Sequence, residues 1–172
     1  MIIYPMLSRL LDYPDQELLD HLPLLHQVLD EDHTIDAHER RVINQFLDHL
    51  SAQGLMALQQ NYVQTFDMQP EHSLHLTHHL FGDDRGRGPA LVDLGEHYKS
   101  MGMTVNKGEI PDYLPLILEY VGTLDEMAAR IFLADAGKVV TVLAANLEKT
   151  GSPYAPLVRL IEQRGRLTQS AA

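Results

Sequence analysis

Cysteine is absent from all 172 residues. That excludes disulfides, zinc–thiolate fingers, iron–sulfur ligation by cysteine and thiol nucleophiles, each of which needs a thiol the chain does not have. Basic residues are scarce, 13 Lys and Arg against 24 Asp and Glu, for a formal charge of −11 with histidine neutral. Because nucleic-acid affinity rests on Lys and Arg neutralising phosphates, no nucleic-acid partner is expected. Long apolar runs are missing too. None approaches the roughly 20 residues of a membrane span, and the opening Met1–Leu7 has neither the charged region nor the unbroken apolar stretch of a secretion signal. The expectation is a soluble, unexported, cytoplasmic protein with no membrane insertion. HExxH, paired Glu-x-x-His, G-x-S-x-G and the Lys-Ser/Thr of a phosphate-binding loop are also lacking, so no catalytic residue and no enzymatic activity is assigned.

What is present is helical periodicity. Apolar residues recur at three- and four-residue spacing and β-branched alternation is rare, which predicts an all-α, single-domain, multi-helix bundle over residues 1–172. A first helix is expected from Met6 to Leu11, ending before Pro14. Asp15 should cap a second helix that carries Leu18 to Leu29 and kinks or breaks at Pro23. Asp36 and Glu39 have capping-box spacing ahead of Val42, Ile43, Phe46, Leu47 and Leu50. Further helices are read over Leu55–Met68, Glu71–Phe81, Pro89–Met101, a segment capped by Asp112, Leu124–Ala136, Lys138–Lys149, and after Pro153. Gly, Asp and Arg composition predicts flexible loops near 82–88 and 102–111.

Ten histidines are present, four of them between His72 and His79. On one continuous helix His72, His75 and His79 would share a face able to ligate a transition metal. No second carboxylate motif accompanies them, and no metal ligand is assigned. Asp93, Glu96 and His97 read as a solvated helix face rather than an acid/base set. Glu109–Tyr120 is the most informative stretch, with dense apolar and aromatic residues and one carboxylate a turn in. By periodicity alone it serves equally as core or as the wall of a groove for an amphipathic peptide helix.

Three motifs in order carry a resemblance: Tyr62-Val-Gln-Thr-Phe-Asp67; then His79 with Gly82-Asp-Asp-Arg-Gly-Arg-Gly-Pro-Ala-Leu-Val-Asp-Leu94; then Glu109-x-Pro-Asp-Tyr-Leu-Pro-Leu-x-Leu-Glu-Tyr120. Together, and with Leu7-Ser-Arg-Leu-Leu-Asp-Tyr-Pro14 at the start, the chain resembles the NarJ-type delta-subunit chaperones of respiratory nitrate reductase. These belong to the wider TorD/DmsD group of redox-enzyme maturation chaperones. The likeness extends to about Tyr154. It implies a TorD/NarJ-like helical fold and a chaperone that binds the N-terminal segment of the apo nitrate reductase catalytic subunit. Molybdenum cofactor and Fe–S insertion would follow before membrane docking.

On that resemblance the protein has no cofactor of its own. The bis-molybdopterin guanine dinucleotide and Fe–S centre belong to the client, and cofactor-delivery proteins are further partners. Carried over by position, the peptide-binding candidates are Tyr62, Phe66, Asp67, His79, Arg85, Asp112, Tyr113, Leu114, Leu116, Glu119 and Tyr120. Members of the group run on past the last helix into a longer charged tail, whereas this sequence ends at Ala172. A predominantly monomeric protein is expected. The residues alone leave two other classes open, a His-rich metal-binding helical protein or metallohydrolase, and a helical scaffold without a fixed ligand.

Overall fold

The computed structural model describes residues 1–82 and 84–166; Asp83 of the first predicted loop and the end of the predicted domain at 167–172 lie outside them. The described residues form eleven α-helices and no strand, the all-α class the periodicity predicts. The first, α1 (Ile3–Leu11), starts three residues earlier than expected because Pro5 sits in the first turn, where its missing N–H is not needed. It ends where Asp12 turns extended. Asp15 accepts from the Leu18 amide and caps α2 (Gln16–Asp20). Pro23 breaks the helix rather than bending it, so α3 (Leu22–Glu31) is separate, with Pro23 in its first turn.

The capping box forms as its spacing predicts. Asp36 accepts from the Glu39 amide and Glu39 from the Asp36 amide at the start of α4 (Ala37–Ser51). Next comes α5 (Leu55–Tyr62), which continues into one π-helical turn, Val63–Asp67, closed by the Met68 amide on the Val63 carbonyl at 3.1 Å.

The predicted helix Glu71–Phe81 does not exist as one piece. Pro70–His72 is a 3₁₀ turn, residues 73–75 are extended, and only α6 (Leu76–Phe81) is α-helical. The extended piece forms an isolated antiparallel bridge between His75 and Tyr113. In it the Leu114 amide donates to the Leu74 carbonyl and the Leu76 amide to the Asp112 carbonyl. A pairing partner nearly forty residues downstream overrides the local helical pattern, which no local reading can anticipate.

Beyond the first loop, α7 (Arg87–Ser100) begins two residues before Pro89. Then follow α8 (Leu114–Val121), α9 (Glu126–Asp135), α10 (Gly137–Lys149) and α11 (Ala155–Arg164). Asp112 does not cap α8 as expected: Tyr113 occupies that position and makes no side-chain cap.

Two long helix pairings hold the core, α1 along α8 and α10 along α11, with α11 also against α4. In the first, the Ser8 hydroxyl donates to the Pro115 carbonyl at 2.6 Å. A Cβ on Gly122 would lie 3.0 Å from the Pro5 ring, tighter than ordinary contact, so glycine eases the close approach of the two helices. Leu114, Leu118 and Val121 of α8 meet Ile3, Leu7 and Leu11 of α1 in one continuous apolar core. Among the described residues no helix is long and apolar enough to cross a membrane.

Candidate functional site

The end of α1, the π turn after α5, the extended piece 73–75 and the loop before α8 converge on one cleft of about 490 Å³. Each wall is placed by a local feature. Asp12 and Tyr13 come from the chain leaving α1. Tyr62 is the last residue of α5, and the wider π turn carries Phe66 and Asp67 round to the same side. Such turns recur at functional sites because they re-aim side chains a regular helix would bury. Gly108 and Glu109 enter through a β-turn, Asn106–Glu109, whose third residue needs the positive φ that Gly108 supplies at +93°.

The floor is aromatic and hydrogen-bonded. Tyr62 packs on Phe66 with ring centres 4.8 Å apart and meets Tyr13 edge-on at 5.6 Å. The His75 ring stacks on Tyr113 at 5.1 Å. The Tyr113 hydroxyl reaches the Asp12 carboxylate at 2.9 Å and the Tyr62 hydroxyl at 2.8 Å, and the Tyr62 hydroxyl donates to the Leu11 carbonyl at 2.9 Å. Burial, reinforced by the neighbouring Asp12 carboxylate, pushes both phenols well above the usual tyrosine range, so they stay neutral.

Above the floor the rim is anionic, with Asp12, Asp67 and Glu109. The Glu119 carboxyl is pushed up by partial burial and by the like charges of Glu109 and Asp12, which marks a surplus of negative charge at this end of the molecule. A cleft with aromatic walls and a carboxylate rim suits an apolar segment that carries positive charge.

Of the residues singled out in the sequence, Tyr62, Phe66, Asp67 and Tyr113 meet in this cleft. Asp112 stands behind it, 1% exposed. Its carboxylate accepts from the Thr77 amide at 2.9 Å and from the Thr77 hydroxyl, so it caps α6 across space instead of its own following helix. His75 Nδ1 lies 3.2 Å from it and an Arg87 nitrogen 3.8 Å away. Burial alone would raise this carboxyl; the hydrogen bonds from His75 and Thr77 outweigh it and hold the group below the ordinary aspartate range.

Leu114, Leu116 and Tyr120 do not line the cleft. All three are buried in the core, with the Tyr120 hydroxyl against His97 Nε2 at 2.7 Å. The stretch that periodicity left as core or groove wall is therefore core at these positions. Glu119 of α8 and Arg85 of the first loop are exposed and do not line the cleft, although Glu119 stands close enough to its rim to feel Asp12 and Glu109. His79 Nε2 donates to the Ser73 carbonyl at 2.7 Å, which braces the extended piece from behind. Residues missed by the sequence reading are Asp12, Tyr13, Ser73, Leu74, His75, Glu109 and Ile110. Asp12, Tyr13 and Glu109 stood inside the motifs, and their alternation of acid and aromatic was the available signal.

The shared metal-binding face of His72, His75 and His79 is not formed. His72 is buried with its two ring nitrogens against the Thr65 and Asn146 carbonyls, His75 faces Asp112, and His79 faces Ser73. Among the described residues no group of three His, Cys, Asp or Glu is placed to hold a metal ion.

Comparison with known proteins fits this architecture. The nitrate reductase delta subunit family model matches residues 32–159. The nitrate reductase molybdenum cofactor assembly chaperone NarJ of Escherichia coli K12 is 34% identical over 161 residues, 94% of this chain and 68% of the relative. The probable assembly chaperone NarJ of Bacillus subtilis 168 is 32% identical over 160 residues, 93% of this chain and 86% of the relative. The nitrate reductase-like protein NarX of Mycobacterium tuberculosis H37Rv is 28% identical over 171 residues, which make up 24% of that longer protein. Matched through most of its length by the family model, and by relatives along nearly all of it, the chain belongs to the nitrate reductase delta subunit family.

Proposed function

We propose that this protein is an assembly chaperone for nitrate reductase, acting in the cytoplasm and holding the N-terminal segment of the apo catalytic subunit in the cleft described above. The single observation that carries the reading is the pairing of an aromatic floor, Tyr62, Phe66 and Tyr113, with a carboxylate rim, Asp12, Asp67 and Glu109. An amphipathic helix offers the matching chemistry, with apolar side chains for the floor and a cationic residue or its positively charged N-terminal end for the rim. The relatives named as molybdenum cofactor assembly chaperones support the choice of client.

Nothing in the reading assigns the chain a catalytic step. It binds, covers and releases. The molybdenum cofactor and Fe–S centre are the client's, inserted while the chaperone keeps the catalytic subunit from docking at the membrane. Cofactor-delivery proteins would then meet the complex rather than the free chaperone.

Calorimetric titration with a synthetic peptide of the client's N-terminal segment tests this. Saturable binding with negative ΔCp is expected from burial of apolar surface. A Tyr113→Glu, Phe66→Glu variant that remains folded should lose it, as the new charges would be buried against the peptide. Absence of binding by the unaltered protein at low and moderate salt would sink the reading.

A further inference from the structure

The cleft does not end at Tyr13. That ring also forms one end of a neighbouring trough of about 510 Å³ along the outer face of α5 and the π turn, with Met56, Gln60, Val63 and Met68 along it. Met56 is 73% exposed and Met68 67% exposed. Positions 56, 60, 63 and 67 recur at helical spacing, so one face runs from a methionine at the start of α5 to the carboxylate of Asp67 at its end. Methionine is flexible and polarisable, suited to receiving apolar side chains of varied shape.

The cleft and the trough, which share Tyr13 as a lining residue, differ in charge. The Tyr13 end opens on Asp12, Asp67 and Glu109, and the Met56 end is lined by uncharged Gln59 and Gln60. The polarity of α5 has the same sense. Its C-terminal end, where carbonyls leave a partial negative charge, points at the cleft. Eleven residues from Met56 to Asp67 at about 1.5 Å each give a groove of about 16 Å, room for about three turns of a helix.

We infer that the bound client segment has a fixed direction, antiparallel to α5, with its N-terminal end among Asp12, Asp67 and Glu109 and its apolar face running out over Met68 and Val63 to Met56. This rests on the peptide-binding reading above and adds to it an occupant of the trough and an orientation. The positive end of the client helix, its α-amino group and any early basic residue meet the carboxylates. Its later apolar residues meet thioethers. The opposite direction would place a helix C-terminus and its negative partial charge among three carboxylates.

Methionine methyl NMR on the full chain reads this without altering the groove. The client peptide is prepared with a nitroxide at its N-terminal end or at the end of its third turn. The first probe should broaden the Met68 methyl signal more strongly than that of Met56, and the second should reverse that order. Met127, 63% exposed on α9 and lining neither the cleft nor the trough, serves as the reference. Met56→Glu should weaken peptide binding about tenfold, and Met127→Glu should leave it unchanged.

The reversed broadening pattern overturns the direction. Calorimetric binding with neither Met56 nor Met68 affected overturns use of the trough while leaving the cleft reading intact. Loss of calorimetric binding altogether overturns both. A concentration-dependent shift of Met56 without peptide would assign the trough to a second copy of the chain and overturn the inference.

Discussion

Three oxygen acceptors and two hydroxyl protons meet at the floor of the cleft. The Tyr62 and Tyr113 hydroxyls sit between the Leu11 carbonyl, the Asp12 carboxylate and each other. With Tyr113 donating to Asp12 and Tyr62 to Leu11, the contact between the two hydroxyls is left without a proton. Tyr113→Phe should therefore cost only about 1 kcal/mol in chemical denaturation, since it removes a network already short of donors. Asp112 is the opposite case, a buried acceptor whose donors are all present. Asp112→Ala should destabilise by about 3 kcal/mol by leaving those donors without their acceptor. Its folded-state carboxyl is depressed, so its contribution is fully present above the unfolded value of about 3.9 and is lost as pH falls through the folded value. The stability gap between wild type and Asp112→Asn should accordingly close below about pH 4. Thermal melts between pH 3 and 7 would measure it; a gap that widens with acid contradicts the sign. Asp112 also shows where residue-level reading stops. An Asp before an apolar run is a sound N-cap signal, but Thr77 outcompetes the next helix for it.

The helices differ greatly in how firmly they are held. α8 is buried at seven of its eight positions, whereas in the fourteen residues of α7 only Tyr98 is fully buried, its hydroxyl donating to the Pro111 carbonyl at 3.0 Å. Local stability follows burial, so α7 amides should exchange with solvent markedly faster than those of α8 and α1 in native-state hydrogen exchange. Equal protection across the three would mean that α7 is held by something other than Tyr98. Element-level legibility divides along a different line, whether the deciding information is local. Capping boxes, prolines and apolar stripes announced α1, α4, α8 and α10, because the information is local to each. The extended piece at residues 73–75 was invisible, since its bridge partner Tyr113 lies far along the chain. The histidine spacing was misread with it: a shared face exists only if the helix does. Likewise Leu114, Leu116 and Tyr120 satisfy the periodicity of a groove wall and of a core equally well, and only tertiary packing decides for core, with Tyr120 set against His97, Tyr98 and Phe132.

At the scale of the whole molecule, ends distant in sequence are joined by charge. Arg164 of α11 forms a two-point ion pair with Glu39 of α4 at 2.6 and 2.8 Å, both side chains nearly inaccessible. Arg164→Met should lower stability by about 3 to 5 kcal/mol because Glu39 would be left buried and unpaired, an effect seen directly as a drop in Tm. The double substitution Arg164→Met, Glu39→Met should recover much of the loss. The net charge of −11 acts over longer range. Association with a cationic client peptide should slow as salt rises past about 0.1 M, where the screening length shrinks to about 10 Å, and stopped-flow rates at graded salt would show it. A rate indifferent to salt would remove the carboxylate rim from the encounter. Class, charge and absence of cysteine were fully legible without a structure. The cleft was legible only in part, since Tyr62, Phe66, Asp67 and Tyr113 stood out by resemblance while Asp12, His75 and Glu109 gain meaning only once four separate segments converge.

The capping of α6 by Asp112 also imposes an order of events during folding. The first turn of α6 finds its acceptor 35 residues further on, so its helix is completed only once the Asp112 segment is available to it. A six-residue helix is far too short to persist by itself in water. Until the Asp112 segment arrives, the Tyr62 and Phe66 side of the cleft waits without its opposite wall. The cleft thus gains its second wall only when that segment docks, and α6, His75 and Tyr113 should lock together in a single late step.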